Sequence, residues 1–292
     1  MVERVGIVAK LGQNSVAPHL VETAVWLEAR GVEPVFEADA ARLLPRHPAR
    51  RTATRDDLPY MVDLLLVLGG DGTLLAIADR VSLAGLDLPI LGVNFGHLGF
   101  LTEINFPELY PLLESAIVGR AAIERRLIMR AHVLRRGERI AEHGAFNDVV
   151  ITRGALSRII ELSVTVGGEF VARFNADGLI VASPTGSTAY NLSAGGPILH
   201  PAVDALILTP IAPHTLSNRP VVIPASAPVL VAPTAHDPNQ EIVLTLDGQI
   251  GLTLEPGDTV EVSRNATPVR LVKSPTHSYF DVLRRKLKWA ER

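Results

Sequence analysis

Over residues 1–120 short apolar runs alternate with amphipathic stretches. Val5-Gly-Ile-Val8, Pro34-Val-Phe36, Asp63-Leu-Leu-Leu-Val-Leu68 and Leu88-Pro-Ile-Leu-Gly-Val93 read as strands. The third is apolar throughout after its first residue, the mark of a strand covered on both faces. Between them, Ala17 to Arg30 puts Leu20, Ala24 and Leu27 on one helical face, with Gly31 as the stop. Thr73 to about Ser82 reads as a second helix. A third begins near Pro107, where proline is tolerated, and runs to Val118. Strands alternating with helices predict βαβ units and a mostly parallel sheet.

After Ala121 the helical period nearly vanishes. Short strands separated by glycine turns are predicted at Leu127–Leu134, Asp148–Thr152, Ile159–Val166, Gly178–Ala182, Val221–Ile223, Pro228–Ala232, Ile242–Leu246 and Thr259–Arg264. This is the pattern of an all-β sandwich or barrel. Helical spacing returns from Phe280 to Trp289. The expected organisation is an α/β domain over 1–120, joined by 276–292 packing back on it, and a β-rich sandwich-like domain over 121–275.

Composition narrows the function more than the fold. The 292 residues carry a formal charge of −3, so no overall basic field points to nucleic acid or an anionic membrane. The absence of cysteine excludes a disulfide framework, a thiolate nucleophile and a cysteine zinc site. No apolar run approaches the ~18 residues of a membrane helix, and the amino-terminal residues lack a signal-peptide pattern. A cytoplasmic location is expected. Arg42, Arg46, His47, Arg50, Arg51 and Arg55 form a basic run with Pro45 and Pro48. It reads either as a solvated loop or as a flap that meets a triphosphate.

Gly69-Gly-Asp-Gly-Thr73 sits where a buried strand gives way to a helix. Ligands of open α/β sheets bind at such strand ends. The glycines let backbone approach a phosphate closely, and the helix start supplies N–H donors. Asp71 would repel a phosphate, so its place there suits a group that takes a proton from an attacking hydroxyl. A simple glycine turn with Asp71 capping the helix explains the same spacing. The motif is neither Gly-x-x-x-x-Gly-Lys-Ser/Thr nor Gly-x-Gly-x-x-Gly.

Three further segments carry polar groups next to strands. Asn94-Phe-Gly-His-Leu-Gly-Phe-Leu101 follows a strand. Phe146-Asn-Asp-Val-Val150 opens one, and Asn147 with Asp148 offers an amide and a carboxylate side by side, as ribose sites do, although Asn-Asp is also a good turn. Asp177 to Leu199 runs from a short strand into serine, threonine and glycine around a single aromatic, Tyr190. A loop of that kind is unusual without a task.

Taken in order from Leu66 to Gln249, with Pro213-His-Thr-Leu-Ser-Asn-Arg-Pro220 and Asp247-Gly-Gln249 included, these segments closely resemble the NAD kinase family. Gly-Gly-Asp-Gly-Thr alone is shared with diacylglycerol-type lipid kinases. The resemblance implies phosphorylation of the 2′-hydroxyl of the adenosine ribose of NAD to give NADP. ATP or another phosphoryl donor, such as polyphosphate, would supply the group, with magnesium or manganese. It implies Asp71 as the base. Gly69, Gly70, Gly72, Thr73 and Asn94 would form the phosphate and ATP loop. NAD would be held by Asp71, Gly72, Asn147, Asp148, Arg158, Asn175, Asp177, Thr188, Ala189, Tyr190, Asn191, Leu192, Ser193 and Gln249. The metal would have no fixed protein ligand, Asp71 being the candidate carboxylate. The partners implied are small nucleotides, without nucleic acid or membrane, in a homodimer or homotetramer.

Three positions depart from the family pattern: Asp148 where glutamate is common, Asn175 where some relatives are basic, and Asn191 where serine is common. A lipid kinase would leave 177–199 unexplained, and a non-catalytic dinucleotide sensor would leave Asp71 unexplained.

Overall fold

The computed structural model describes residues 2–10, 16–44, 50–94, 99–154, 158–215, 217–235, 237 and 240–289. Two compact units divide the chain: Met1–Arg125 with Val269–Arg292, and Arg126–Pro268.

In the first unit, β1 (Arg4–Ala9), α1 (Val16–Glu28), β2 (Glu33–Glu37), α2 (Ala38–Ala41) and β3 (Arg51–Ala53) are followed by β4 (Leu64–Leu68) and α3 (Asp71–Leu83). Then come β5 (Pro89–Asn94), β6 (Ile104–Asn105), α4 (Leu109–Ile117) and β7 (Ile123–Arg126). The sheet order is β3-β2-β1-β4-β5, then the strand Val269–Val272, then β7, with β6 beside β5. The pairs among β1 to β5 are parallel, and Val269–Val272 runs parallel to β5. The chain therefore returns to this sheet at residue 269, ahead of the 276–292 segment expected to pack back on it. All five side chains of β4 are fully buried, each worth about 1.5–3 kcal/mol of transfer free energy. Leu20, Ala24 and Leu27 of α1 are buried as their period predicts, and Gly31 ends that turn at φ 73°.

The basic run is not simply a loop. Residues 51–53 add an edge strand to β2. Among its described arginines, Arg42 lies 3.0 Å from Asp39, Arg50 3.9 Å from Glu28 and Arg51 3.5 Å from Glu33, and Arg55 hydrogen-bonds Glu37. Charge on an edge strand discourages pairing with another chain. Pro45, Arg46, His47 and Pro48 lie outside the described residues.

The second unit is a sandwich. Its strands are β8 (Met129–Arg135), β9 (Glu138–Ala145), β10 (Asp148–Arg153), β11 (Ile160–Val166), β12 (Glu169–Ala176) and β13 (Gly178–Ala182). After the one-turn helix α5 (Tyr190–Ser193) come β14 (Ala205–Ile211), β15 (Val221–Pro224), β16 (Val229–Thr234), β17 (Ile242–Leu246), β18 (Ile250–Leu254) and β19 (Thr259–Arg264). One antiparallel sheet runs β15-β14-β13-β10-β17-β18 and the other β12-β11-β16-β19-β8-β9. A single core draws on both, with Val149, Ile151, Leu179, Val181 and Leu244 from the first sheet against Met129, Val133, Leu162, Val164 and Val260 from the second. The chain closes with Tyr279–Leu287, a helix capped by Ser278. Lys286 of that helix lies 5.8 Å from the Phe100 ring centroid within the first unit.

Candidate active site

In the first unit, β1 is flanked by β2 on one side and β4 on the other, so the winding reverses between β1 and β4. In open α/β sheets that reversal opens a crevice at the carboxyl ends of the strands. Gly69-Gly-Asp-Gly-Thr73 occupies the end of β4. The Lys10 N–H donates to the Leu68 carbonyl at 3.0 Å, and a methyl on Gly69 would lie 3.2 Å from Lys10 Cβ, so the two strand ends are closely apposed. Gly70 is the cap of α3, which starts at Asp71, two residues before the helix predicted from sequence. A methyl on Gly70 or on Gly72 would meet nothing within 4 Å. Open space over a helix start is what a phosphate oxygen requires.

Asp71 does not cap its own helix. Its carboxylate reaches instead to residues 100–102. Oδ1 accepts from the N–H of Leu101 at 3.1 Å, the N–H of Thr102 at 3.0 Å and the Thr102 hydroxyl at 2.9 Å. Oδ2 accepts from the N–H of Phe100 at 2.8 Å. Asn94, at the end of β5, donates to the Thr102 hydroxyl at 3.1 Å. The first and second glycine-rich segments are thus joined through one carboxylate. Gly96 and His97 of the second segment lie outside the described residues. Thr102 was missed from sequence because it follows the motif by one residue and looks like an ordinary strand threonine.

The fit around Asp71 is tight. A Cβ on Gly99 would sit 2.0 Å from Asp71 Oδ1 and 2.3 Å from Thr102 Oγ1. Gly99→Ala must therefore displace the carboxylate or the turn, and a misplacement of about 1 Å costs on the order of 10²-fold in rate. The expected outcome is a turnover loss of that size with NAD affinity retained, checked by steady-state kinetics and calorimetry. Unchanged turnover would mean that the carboxylate is not held for catalysis.

A second cluster lies in the second unit. Asp247 takes the left-handed conformation at φ 50°, which aspartate tolerates better than most residues. Its carboxylate accepts from the N–H groups of Phe146 at 2.8 Å, Asn147 at 2.7 Å and Asp148 at 3.0 Å. The Ser183 hydroxyl donates to the Phe146 carbonyl at 2.6 Å and accepts from the Gly186 N–H at 3.0 Å, while the Ser183 N–H donates to the Asn147 carbonyl at 2.9 Å. The Tyr190 N–H donates to the Asp148 carboxylate. These bonds bring together Asn147, Asp148, Thr188, Ala189, Tyr190 and the turn that carries Gln249. Asp247 and Ser183 are the members sequence reasoning did not pick out. A Gly-rich loop was expected after β13. The chain instead forms a 3-10 turn at Thr185–Thr188 and then α5.

Not every candidate faces outward here. Asn191 is fully buried, with its amide nitrogen 3.0 Å from both the Ser187 and Pro197 carbonyls and its oxygen accepting from Thr209 at 2.7 Å. Its side chain holds the turn. Leu192 is half-buried, and Ser193 and Tyr190 are exposed on the same short helix. Asp177 is paired with Arg153 at 2.6 Å, and the Asn175 carbonyl accepts from the His214 N–H at 2.8 Å. Arg158 is exposed, and its carbonyl accepts from Gln240.

Burial, followed by repulsion from Asp247, pushes the Asp148 carboxyl from its ordinary value of 3.8 up to about 7, against the opposing Tyr190 N–H. An acid whose pKa is raised by folding holds its proton in the folded state. Its contribution to stability is complete below its unfolded pKa and is lost as pH rises through about 7. Asp148→Asn cannot ionise. The melting-temperature difference between this variant and the wild type is expected to grow in the variant's favour as pH rises from about 5 to about 8, the interval that spans the raised value. A difference that does not change with pH would contradict this.

The two halves each match a known family. A model described as the ATP-NAD kinase N-terminal domain matches residues 5–121, and one described as the ATP-NAD kinase C-terminal domain matches residues 146–274. The NAD kinase of Geobacter sulfurreducens is 46% identical over 290 residues, covering 99% of this chain and 100% of that protein. The chain belongs to the NAD kinase family. Two solved structures of the family extend the comparison to three dimensions. Yeast NADH kinase complexed with NADH has a TM-score of 0.88 at 28% identity, over 100% of this chain and 89% of that one. An NAD kinase from Archaeoglobus fulgidus in complex with ATP has a TM-score of 0.72 at 25% identity, over 98% of each chain. As an NAD kinase family member the chain is an enzyme, a kinase.

Proposed function

We propose that this NAD kinase family member transfers the terminal phosphoryl group of ATP to the 2′-hydroxyl of the adenosine ribose of NAD, with Asp71 as general base. One observation carries the assignment of the base. Asp71 stands in an open glycine turn at the end of β4, its Oδ1 occupied by three donors and its Oδ2 by one. Oδ2 keeps a lone pair for an incoming proton. As the ribose oxygen forms its bond to phosphorus, its proton passes to Oδ2. The bond from phosphorus to the bridging oxygen breaks, and the electron pair leaves with ADP. Phosphoryl transfer asks for alignment and charge neutralisation more than covalent help from the protein. The open approach to Gly70 and Gly72 suits that demand.

Asn147, Asp148, Thr188, Ala189, Tyr190, Ser193 and Gln249 hold the dinucleotide in this reading. Asp148 meets a ribose or base edge, and the exposed Tyr190 ring offers a face for adenine. Asp177, Arg158 and Asn175 belong to the same site, with Asn175 bearing on the choice between NAD and NADH. Among the described residues no group of three or more His, Asp or Glu side chains has the arrangement to hold a metal ion. In this reading a divalent ion would be carried on the nucleotide phosphates, with Asp71 the candidate carboxylate. A divalent ion of this kind would neutralise phosphate charge.

Among the described residues no helix is long and apolar enough to cross a membrane. A cytoplasmic location belongs to the same reading. Assembly as a homodimer or homotetramer is supported by the exposed apolar residues Phe170 and Val171 on edge strand β12 and Val221 and Val222 on edge strand β15.

The product tests the reading. With NAD, ATP and magnesium, proton and phosphorus NMR should show one new phosphate on the adenosine ribose 2′ position and none on the 3′ position. Phosphorylation of an emulsified diacylglycerol without phosphorylation of NAD would favour the lipid kinase. Tight NAD binding without turnover would favour the sensor.

A further inference from the structure

We propose that Thr102 is a positioning residue for Asp71, selecting Oδ2 as the oxygen that receives the proton. The proposal rests on the reading of Asp71 as the base.

Thr102 has no exposed surface, so its hydroxyl must find its partners inside the protein. It has two, and their chemistry fixes the direction of both bonds. The Asn94 side-chain nitrogen, 3.1 Å away, can only donate, so the Thr102 oxygen accepts. The ionised Asp71 carboxylate, 2.9 Å away, can only accept, so the Thr102 hydrogen points at Oδ1. Asn94 therefore orients Thr102, and Thr102 orients Asp71.

The backbone repeats the same asymmetry. Leu101 and Thr102 donate to Oδ1, and only Phe100 donates to Oδ2. The Gly99 N–H donates to the Thr102 carbonyl at 3.1 Å, closing the turn around the carboxylate. The two oxygens of a carboxylate are equivalent, so a half-turn restores the same pattern. The uneven donors instead fix the plane of the group and leave the position held by Phe100 alone, Oδ2, the more basic of the two. The arrangement also survives the proton transfer: with the proton on Oδ2, Oδ1 becomes a carbonyl oxygen and still accepts all three bonds. The loop need not reorganise between substrate and product, which is what a pre-organised base requires. The backbone donors place the carboxylate within the turn. The threonine hydroxyl is the one side-chain donor among the three on Oδ1, and it alone can be removed by substitution.

The test compares wild type, Thr102→Val, Thr102→Ser, Thr102→Ala, Asp71→Asn and the double variant Thr102→Val/Asp71→Asn. Each is assayed for kcat, for KM with both substrates and for melting temperature. Thr102→Val and Thr102→Ala are expected to lose about 10- to 100-fold in kcat with KM held within about threefold. Thr102→Ser, which keeps the hydroxyl, should recover most of that loss. In the Asp71→Asn background the valine change should cost less than about twofold, because the base it positions is gone. Serine no better than valine and alanine, or the same fractional loss with and without Asp71, would make Thr102 a packing residue and overturn the proposal. Alanine guards against a folding failure specific to valine. A wild type that makes no NADP would remove the functional reading itself, whereas an active wild type with an unaffected Thr102→Val removes only the positioning role.

Discussion

Asp71→Asn is expected to lower NADP formation by about 10²–10⁴-fold, the usual cost of removing a general base, while NAD still binds. The geometry keeps this substitution local. An asparagine oxygen in place of Oδ1 accepts the same three donors from Leu101, Thr102 and the Thr102 hydroxyl. Its NH2 then faces the Phe100 N–H, and one hydrogen bond worth about 1 kcal/mol is lost. The fold and the turn around residues 99–102 survive, and the proton acceptor does not. Steady-state kinetics paired with calorimetry of NAD binding checks both halves. Turnover within about threefold of wild type would show that the proton goes elsewhere.

Gly186→Ala should destabilise the second unit and weaken NAD binding together. A Cβ at 186 would lie 2.0 Å from the Asn147 carbonyl oxygen, 2.4 Å from its carbon and 2.6 Å from its Cα. These are backbone atoms, and they are already committed: the same carbonyl accepts the Ser183 N–H, and Asp247 holds the Asn147 N–H. Relief requires the 185–188 turn to move off the start of β10. Forced overpacking of this kind costs about 1–3 kcal/mol or more, and in a unit of this size each kcal/mol lowers Tm by about 2–4 °C. The moved turn leads into Tyr190, whose N–H meets Asp148, so KM for NAD should rise in the same variant. Thermal unfolding and NAD titration check it. A Tm and KM equal to wild type would contradict the close packing of the two segments.

The sequence was most legible where strands are buried. β4, β13 and β17 sit at or within a residue of their predicted bounds because apolar runs between turn residues leave little alternative, and half-buried β19 is marked instead by the alternation of Val260 and Val262 with polar residues. Three strands escaped for a shared reason. β9, β12 and β18 are sheet edges with exposed residues along much of their length, so no apolar pattern announces them. Each follows two consecutive left-handed residues: Arg136-Gly137, Gly167-Gly168 and Asp247-Gly248. Such pairs favour the tight turns of hairpins, and that was the available signal. Asp247-Gly248 was valued only as part of a family motif, which hid the strand behind it. β14 is fully buried but for its last residue, and Pro210, near its end, masked an otherwise clear run.

The site divides along similar lines. Motif spacing drew attention to Asp71, Asn147, Asp148 and Tyr190. What it could not reveal is which side chains act inward. Asn191 reads as a ligand residue, and its side-chain amide is engaged inside the turn. Thr102 and Asp247 look ordinary, yet they hold the carboxylate and the strand start in place. Those roles depend on contacts between residues about 30 and 100 positions apart, and no local pattern encodes them.

The most direct test of the whole account is a coupled assay on the wild-type protein. NAD, ATP and magnesium are mixed with the enzyme, an NADP-specific dehydrogenase and that dehydrogenase's substrate, and NADPH is followed by its absorbance. The account predicts NADPH formation that depends on ATP, on NAD and on the protein. No NADPH with ATP or polyphosphate, and with magnesium or manganese, from a folded protein that binds NAD would contradict it.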